Sequence, residues 1–451
     1  MAAAARLAVE AGHEVRGSDN PLYPPTSEMV AALGAPVTSK YRSANLDWGP
    51  DVVVIGNALS RGNREVEAVL KRRIPYVSMP EWLKQNVLQR RRPIVICGTH
   101  GKTSTASLTA HLLEVAGKAP GFFIGGQPLD FPHSARLGQD DGYFVVEGDE
   151  YDSAFFDKRA KFFHYLPEVA LVTGIEFDHG DIYGDIEDIR RAFRLMLRQV
   201  PSSGRVILCA DDPEARALAG YAHSPVVTYG FSEDADWCGQ AKRIDGGSAL
   251  TVYEHGWAYG VLHTSLVGKH NLLNALGAIA VAGELGVSSR CTVPALKVFR
   301  GVQRRMEVFH EARGVVFVDD FAHHPTAIAA VLSAAREQWP ERRLWAIFEP
   351  RSNTTVTNRF QGGLTAALSA ADCAVLGPIH RKDTIPEDQR LDRRQVAADL
   401  EKTGVKAMAL DSAKAIAARL DKELQSGDVA LLMSNGAFGG LYALLRERFR
   451  V

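Results

Sequence analysis

Gly98-Thr99-His100-Gly101-Lys102-Thr103-Ser104 follows the apolar run Ile94–Cys97 and precedes a helical pattern over about Ser104–Ala116. Few arrangements constrain a chain as tightly. A buried strand has to deliver the backbone into a glycine loop. The loop's amides then turn toward an anion, and the following helix adds the positive potential of its N-terminus. Lysine and threonine after the second glycine supply a charge for phosphate oxygens and a hydroxyl for a metal ion. The spacing differs from the usual phosphate loop, because Ile96 stands where the first glycine would be. The plainer alternative is a glycine turn that caps a helix.

The rest of the chain repeats the same alternation. Apolar strand candidates at Tyr143–Val146, Val169–Thr173 and Arg205–Leu208 are followed by others at Val315–Val318, Leu344–Phe348, Cys373–Leu376 and Val429–Met433. Helical patterns separate them, which predicts α/β architecture with mostly parallel sheets. At 451 residues, one hydrophobic core is improbable, since cores stop growing near about 250–300 residues. Three domains are expected: 1–91, 92–302 and 303–451. The run Arg90-Arg91-Arg92-Pro93 reads as a boundary and, by its charge, as a solvated linker. In the first domain, a helix ends near Gly12. His13–Arg16 reads as a strand running into Gly17-Ser18-Asp19, and Asp51–Ile55 as a second strand. Tyr23-Pro24-Pro25 and Gly49-Pro50 mark loops. This is a doubly wound unit lacking its first strand.

Further chemistry lies just after strands. Glu147-Gly148-Asp149-Glu150-Tyr151-Asp152 holds four carboxylates in six residues. Such a cluster is either a cation site or a solvated acidic loop, and Mg2+ suits one or two carboxylates plus phosphate oxygens. Glu176-Phe177-Asp178-His179 follows another strand. Ligands of open α/β sheets sit beyond the carboxyl ends of strands, so the three clusters are expected to converge. Asn271 and Asn274 share a helix face at a spacing of three, although Asn271 also reads as an N-cap. Asp319-Asp320 precedes His323-His324; adjacent histidines do not readily face one metal, which weighs against zinc there.

Composition removes other classes. Lys+Arg 52 against Asp+Glu 53 gives a net charge of -1, with no general attraction for nucleic acid or an anionic membrane. Five scattered cysteines without a C-x-x-C argue for a reducing, cytoplasmic setting. No apolar stretch approaches the ~18 residues of a membrane span, and the Ala-rich start does not have the form of a signal peptide.

GTHGKTS, EGDEYDSAFF, EFDHGDIY, GKHNLLNALGAIA, RRMEVF and DDFAHHPT, in this order, resemble the Mur ligase family over essentially the whole chain. YPPTSEM, GNALSRGN, EPRSNT and MSNGAFGG favour the branch that acts on a murein tripeptide. The resemblance implies a UDP-sugar domain, a central ATPase domain and a C-terminal Rossmann-like domain. It implies an ATP- and Mg2+-dependent ligase that joins L-alanyl-γ-D-glutamyl-meso-diaminopimelate to UDP-N-acetylmuramate through an acyl phosphate, in peptidoglycan recycling.

By the same resemblance, Gly98, Thr99, His100, Gly101, Lys102, Thr103 and Ser104 hold the nucleotide phosphates. Thr103, Glu150 and His179 hold Mg2+. Asn271 and Asn274 meet the adenine side, and Arg305, Asp320 and His324 close over the nucleotide. Lys102, Glu150, His179 and Arg305 form the catalytic set. Ser18 and Asp19 face uridine, Asn57, Ala58 and Ser60 line the UDP-sugar cleft, and Arg351 and Asn353 meet the peptide. Two departures stand out. The family's first strand and Gly-rich loop are not found, and no lysine is an evident counterpart of the carbamylated lysine of some members. The alternatives are the L-alanine-adding ligase of the same family and a non-catalytic UDP-sugar-binding relative.

Overall fold

The structure, a computed structural model, describes residues 1–22, 26–180 and 182–450. The expected loop at Tyr23-Pro24-Pro25 lies outside the described residues. The chain is mixed α/β, as the strand–helix alternation requires.

Its largest element is a ten-stranded sheet. Val169–Val172, Arg92–Cys97 and Tyr143–Gly148 lie side by side and parallel at its middle. Ile94, Val95, Ile96 and Cys97 are fully buried, as are Ala170, Leu171 and Val172. Strands covered on both faces need such unbroken apolar runs. Arg205–Cys209 and Val226–Gly230 continue the parallel part. An antiparallel meander, Trp237–Ile244, Gly247–Glu254 and Trp257–Thr264, extends it to one edge. The helices Lys102–Val115 and Lys269–Glu284 pack on each other, and nearly every residue between Thr105 and Leu113 is buried.

A second, six-stranded sheet has the order Glu307–Ala312, Val315–Asp320, Val429–Met433, Leu344–Phe348, Cys373–Leu376 and Lys406–Ala409. All of its pairs are parallel except the first, Glu307–Ala312 with Val315–Asp320. The meander, the strand Glu307–Ala312 and the strand Lys406–Ala409 escaped the sequence reading, because polar and charged residues interrupt them.

The first 91 residues differ from expectation. Their strands form two separate two-stranded sheets, Gly17–Asp19 with Val37–Ser39 and Val53–Ile55 with Tyr76–Ser78. His13–Arg16 is not a strand, and pairing begins only at Gly17. Its residues are mostly exposed, and Arg16 folds back onto Glu14 with bonds of 3.0 and 2.8 Å. The helix Ala2–Glu10 buries Leu7 and Ala8 in the same core as the central strands.

The basic run is not a solvated linker. Arg92 and Pro93 already belong to a strand. The Arg91 side chain is 3% exposed and donates to the carbonyls of Val87 and Leu137 at 2.9 and 2.8 Å. Arg92 binds Glu168 through both carboxylate oxygens at 2.5–3.0 Å. Guanidinium groups that satisfy carbonyls and a forked carboxylate tie neighbouring elements together.

Candidate active site

The site begins with a register. Cys97 pairs with Val172 on one side and with Gly148 on the other. The phosphate-loop segment, the acidic segment and Thr173–His179 therefore leave three adjacent strands at one level, and the three sequence clusters meet. Gly98 has φ +124° and approaches Thr173 Oγ1 so closely that a Cβ would lie 2.2 Å away. Gly101, at φ +80°, is equally close to Asn274 Oδ1. Only glycine tolerates both the backbone geometry and the contact. Gly101 also caps the helix Lys102–Val115, which aims that helix's N-terminus into the loop.

Lys102 is the electrostatic centre. Its ammonium donates to the carbonyl of Gly98 at 2.6 Å, to that of Thr99 at 3.3 Å and to Glu150 Oε2 at 2.8 Å. The Glu150 side chain is 2% exposed, so the solvated-loop reading of the acidic segment is wrong at this residue. Burial would lower the Lys102 pKa, but the charge of Glu150 overrides it and the lysine is held protonated. Burial likewise pushes Glu150 up, and Lys102 pulls it below its ordinary value. Glu150 Oε1 is buried without a hydrogen-bond partner and lies 3.3 Å from His179 Nε2. A carboxylate oxygen without a hydrogen bond beside an imidazole is a donor set that a divalent cation fits.

Glu147, the first of the four carboxylates in the acidic segment, completes the group. It accepts from the Gly125 amide at 2.9 Å and from Thr103 Oγ1 at 3.2 Å. Burial, then the neighbouring Asp149 charge, raise it to about 7. Asp149 is tied to Lys161 at 3.1 Å. Tyr183 donates to the Glu150 carbonyl. Thr173 donates to the carbonyls of Cys97 and His100 at 3.2 and 2.5 Å and so fixes the loop.

Other expected residues gather around this centre. Asn271, Asn274, Ser104 and Arg305 line one cavity of about 140 Å3. Asn271 is not an N-cap: the helix starts at Lys269 after Gly268, and Asn271 donates to the Val267 carbonyl at 2.9 Å. Arg305 Nη2 donates to Thr103 Oγ1 at 3.3 Å, so the six-stranded sheet's leading segment reaches the loop. Both oxygens of Asp320 accept backbone amides, from Met306 at 2.8 Å and Ala322 at 2.7 Å. In this conformation Asp320 shapes the turn that presents Arg305. His100 Nε2 lies 3.0 Å from Glu176 Oε2, and His324 caps the helix Pro325–Gln338.

Arg351 and Asn353 line a second cavity of about 330 Å3 together with His380, Arg381 and Asn435. Arg351 Nη1 is 3.2 Å from His380 Nδ1. A Cβ on Gly436 would lie 2.2 Å from Arg351 Nε. The small residue in Ser434–Gly440 therefore makes room for the arginine rather than for a ligand directly. Arg381 and His380 were missed because nothing in their local sequence marks them.

The residues expected at the UDP-sugar are further out. Ser18 accepts from Asn45 Nδ2 at 3.0 Å, and Asp19 from Tyr41 Oη at 2.9 Å. Asn57, Ala58 and Ser60 are exposed. Asn57 donates to the Asp152 carbonyl at 3.5 Å, the link from this turn to the acidic segment.

Comparison with known proteins shows the family. The Mur ligase family, catalytic domain matches residues 1–91, the Mur ligase middle domain residues 96–282, and the Mur ligase glutamate ligase domain residues 304–436. The chain is 41% identical to UDP-N-acetylmuramate--L-alanyl-gamma-D-glutamyl-meso-2,6-diaminoheptandioate ligase of Escherichia coli (strain K12), over 99% of this chain and 95% of that protein. A murein peptide ligase from Psychrobacter arcticus superposes with a TM-score of 0.78 at 35% identity, covering 100% of this chain and 96% of the other. UDP-N-acetylmuramate-alanine ligase from Thermotoga maritima superposes with a TM-score of 0.81 at 25% identity, with the same coverage. The chain belongs to the Mur ligase family.

Proposed function

We propose that this chain is an ATP-dependent, ADP-forming ligase that joins L-alanyl-γ-D-glutamyl-meso-diaminopimelate to UDP-N-acetylmuramate in peptidoglycan recycling. The observation that carries the catalytic part is the buried Lys102–Glu150–His179 group, with its unpartnered Glu150 Oε1, at the ends of three adjacent strands. The choice of substrate rests on the 41% identity to the tripeptide ligase and on the cationic second cavity. Fold likeness does not separate the two ligases, because the alanine-adding relative superposes equally well.

A carboxylate resists an amine because its charge repels the nucleophile and its oxygen leaves poorly. Transfer of the γ-phosphoryl group from ATP to the carboxylate of UDP-N-acetylmuramate makes an acyl phosphate and ADP; the alanyl amine then attacks the acyl carbon, and phosphate and a proton leave as the amide forms. The protein's part is positioning and charge stabilisation. The loop Gly98–Ser104 cradles the phosphates, and Lys102 exchanges the Gly98 and Thr99 carbonyls for phosphate oxygens. Arg305 adds a second cation from the six-stranded side. Asn271 and Asn274 border the adenine cavity, and Asp320 and His324 hold the segments that close over it. Thr103, Glu150 and His179 would hold Mg2+, which offsets phosphate charge when bound. Approach of the two sheets excludes water, which would otherwise hydrolyse the activated carboxyl.

The division into 1–91, 92–302 and 303–451 follows the same reading, with UDP-N-acetylmuramate on Ser18, Asp19, Asn57, Ala58 and Ser60. Arg351 and Asn353 receive the peptide. Arg351 offers a planar fork matched to a carboxylate, and free L-alanine presents only one. Among the described residues no helix is long and apolar enough to cross a membrane, which is compatible with a cytoplasmic enzyme. ADP release is measured with UDP-N-acetylmuramate and either the tripeptide or L-alanine. The tripeptide is expected to give the higher kcat/KM. A higher value for L-alanine assigns the chain to the biosynthetic branch, and no release with either marks a non-catalytic binder.

A further inference from the structure

His100, Glu176 and His324 come from the phosphate-loop segment, a strand end of the ten-stranded sheet and a helix start beside the six-stranded sheet, and their donor atoms lie within 4.8 Å of one another. We propose that these three side chains form a binding site for a divalent transition metal of the Zn2+ class, distinct from the Mg2+ ligands. The inference rests on geometry and does not depend on the ligase reading.

Zinc bonds to histidine nitrogen and carboxylate oxygen at about 2.0–2.2 Å, so donors around a tetrahedral ion stand roughly 3.3 Å apart. His100 Nε2 is 3.0 Å and His324 Nδ1 3.6 Å from the same oxygen, Glu176 Oε2. Small shifts bring all three onto one ion. Two imidazoles and one carboxylate form a nitrogen-rich set that suits zinc, copper or nickel rather than magnesium. It leaves a fourth position open, as three-ligand zinc sites do.

The supports around the ligands are also present. Thr326 Oγ1 donates to Glu176 Oε1 at 2.7 Å and leaves Oε2 to the imidazoles. The Glu176 amide donates to Thr99 Oγ1 at 2.9 Å, and Thr99 Oγ1 donates to the Glu176 carbonyl at 3.2 Å. Such outer bonds orient metal ligands. The His324 ring is buried and its Nε2 has no hydrogen-bond partner. Its Nδ1 accepts a long 3.4 Å bond from the Thr326 amide, which a metal readily replaces. The neighbouring His323 turns away, with Nδ1 3.0 Å from the Phe321 carbonyl. The adjacent pair is thus split, and His324 finds its partners across the interface instead. A bound ion would fasten the loop to the helix start and hold the two sheets together.

The test is titration of the full chain, stripped with chelator and free of nucleotide, with Zn2+ against a chromophoric competitor, and with Co2+ followed by visible absorption. One Zn2+ per chain, a raised Tm and a four-coordinate Co2+ spectrum are expected. His100→Gln and Glu176→Gln should each weaken Zn2+ binding by at least the about 10–100-fold that outer-shell changes already cause. His323→Ala and His179→Ala should leave the affinity unchanged. His324→Ala should abolish binding, and because it also removes a buried cap, the half-exposed His100 serves as the independent variant. Absence of stoichiometric binding, or wild-type affinity in both His100→Gln and Glu176→Gln, overturns the proposal. So does loss of Zn2+ in His179→Ala, which would put the ion at Glu150.

Discussion

The phosphate-loop region and the first 91 residues are built on opposite principles. Around Lys102, ionisable groups are buried in pairs: Lys102 with Glu150 at 2.8 Å and Lys161 with Asp149 at 3.1 Å. The strands beneath them are buried beyond their first residues and locked in register. In the first 91 residues, the strands are three residues long and lie in two separate pairs. Leu46, Ala68 and Val69 form only a small cluster of their own, while Leu7, Trp82 and Leu83 join the central core. Charges are expensive to bury unless paired, so the first region rests on a few buried pairs whose loss is severe. The second spreads polar contacts over exposed turns, where each is worth little.

The contrast is broken most directly at Lys102. Lys102→Ala should lower the ligation rate by about 10²–10³ or more. It should also lower the melting temperature, since removing one partner of a buried pair costs about 3–5 kcal/mol. Adding Glu150→Gln should restore the melt but not the rate. ADP release and calorimetry on the single and double variants measure both. If the single variant melts as the parent does, the pairing argument fails.

Arg351→Lys should reduce kcat/KM for the tripeptide by about 10–100-fold, the scale of a charge-assisted contact worth roughly 1.5–3 kcal/mol. Competition assays with tripeptide and L-alanine read the effect. Equal losses on both substrates would show that Arg351 supports the fold rather than the peptide.

Glu147 sharpens the comparison through pH. Its folded pKa of about 7 stands above its ordinary 4.5. The burial penalty is therefore absent below the ordinary value, grows as pH rises between the two, and is complete above the folded one. Glu147→Gln should stabilise the metal-free chain by about 1–3 kcal/mol at pH 8, with the gain vanishing toward pH 5. Thermal melts across that range check the sign; a gain larger at pH 5 than at pH 8 contradicts it.

The smallest effect is expected in the exposed turn. Asn57→Ala removes one 3.5 Å bond to the Asp152 carbonyl. It should weaken UDP-N-acetylmuramate binding by about fivefold, the worth of one neutral hydrogen bond of about 1 kcal/mol, and leave ATP binding alone. Calorimetry with each ligand separates the two, and a loss as large as that of Lys102→Ala would erase the contrast between the regions.

What the sequence determined by itself is what repeats along it or is tied to covalent neighbours. Unbroken apolar runs fixed the strands Leu344–Phe348, Cys373–Leu376 and Val429–Met433 to the residue, because strands buried on both faces leave no choice of composition. Glycines at Gly98 and Gly101 fixed the loop, because no other residue fits there. The tertiary structure decided what depends on approach from far along the chain. It split His323 from His324 and joined the latter to Glu176, brought Glu147 to Thr103, turned a basic run into an anchor, and packed Arg351 over Gly436. Local sequence carries periodicity and backbone freedom, which are properties of neighbours. The burial and pairing of a charge are properties of whatever the sheet order places opposite it, and that order is set only when the whole chain has packed.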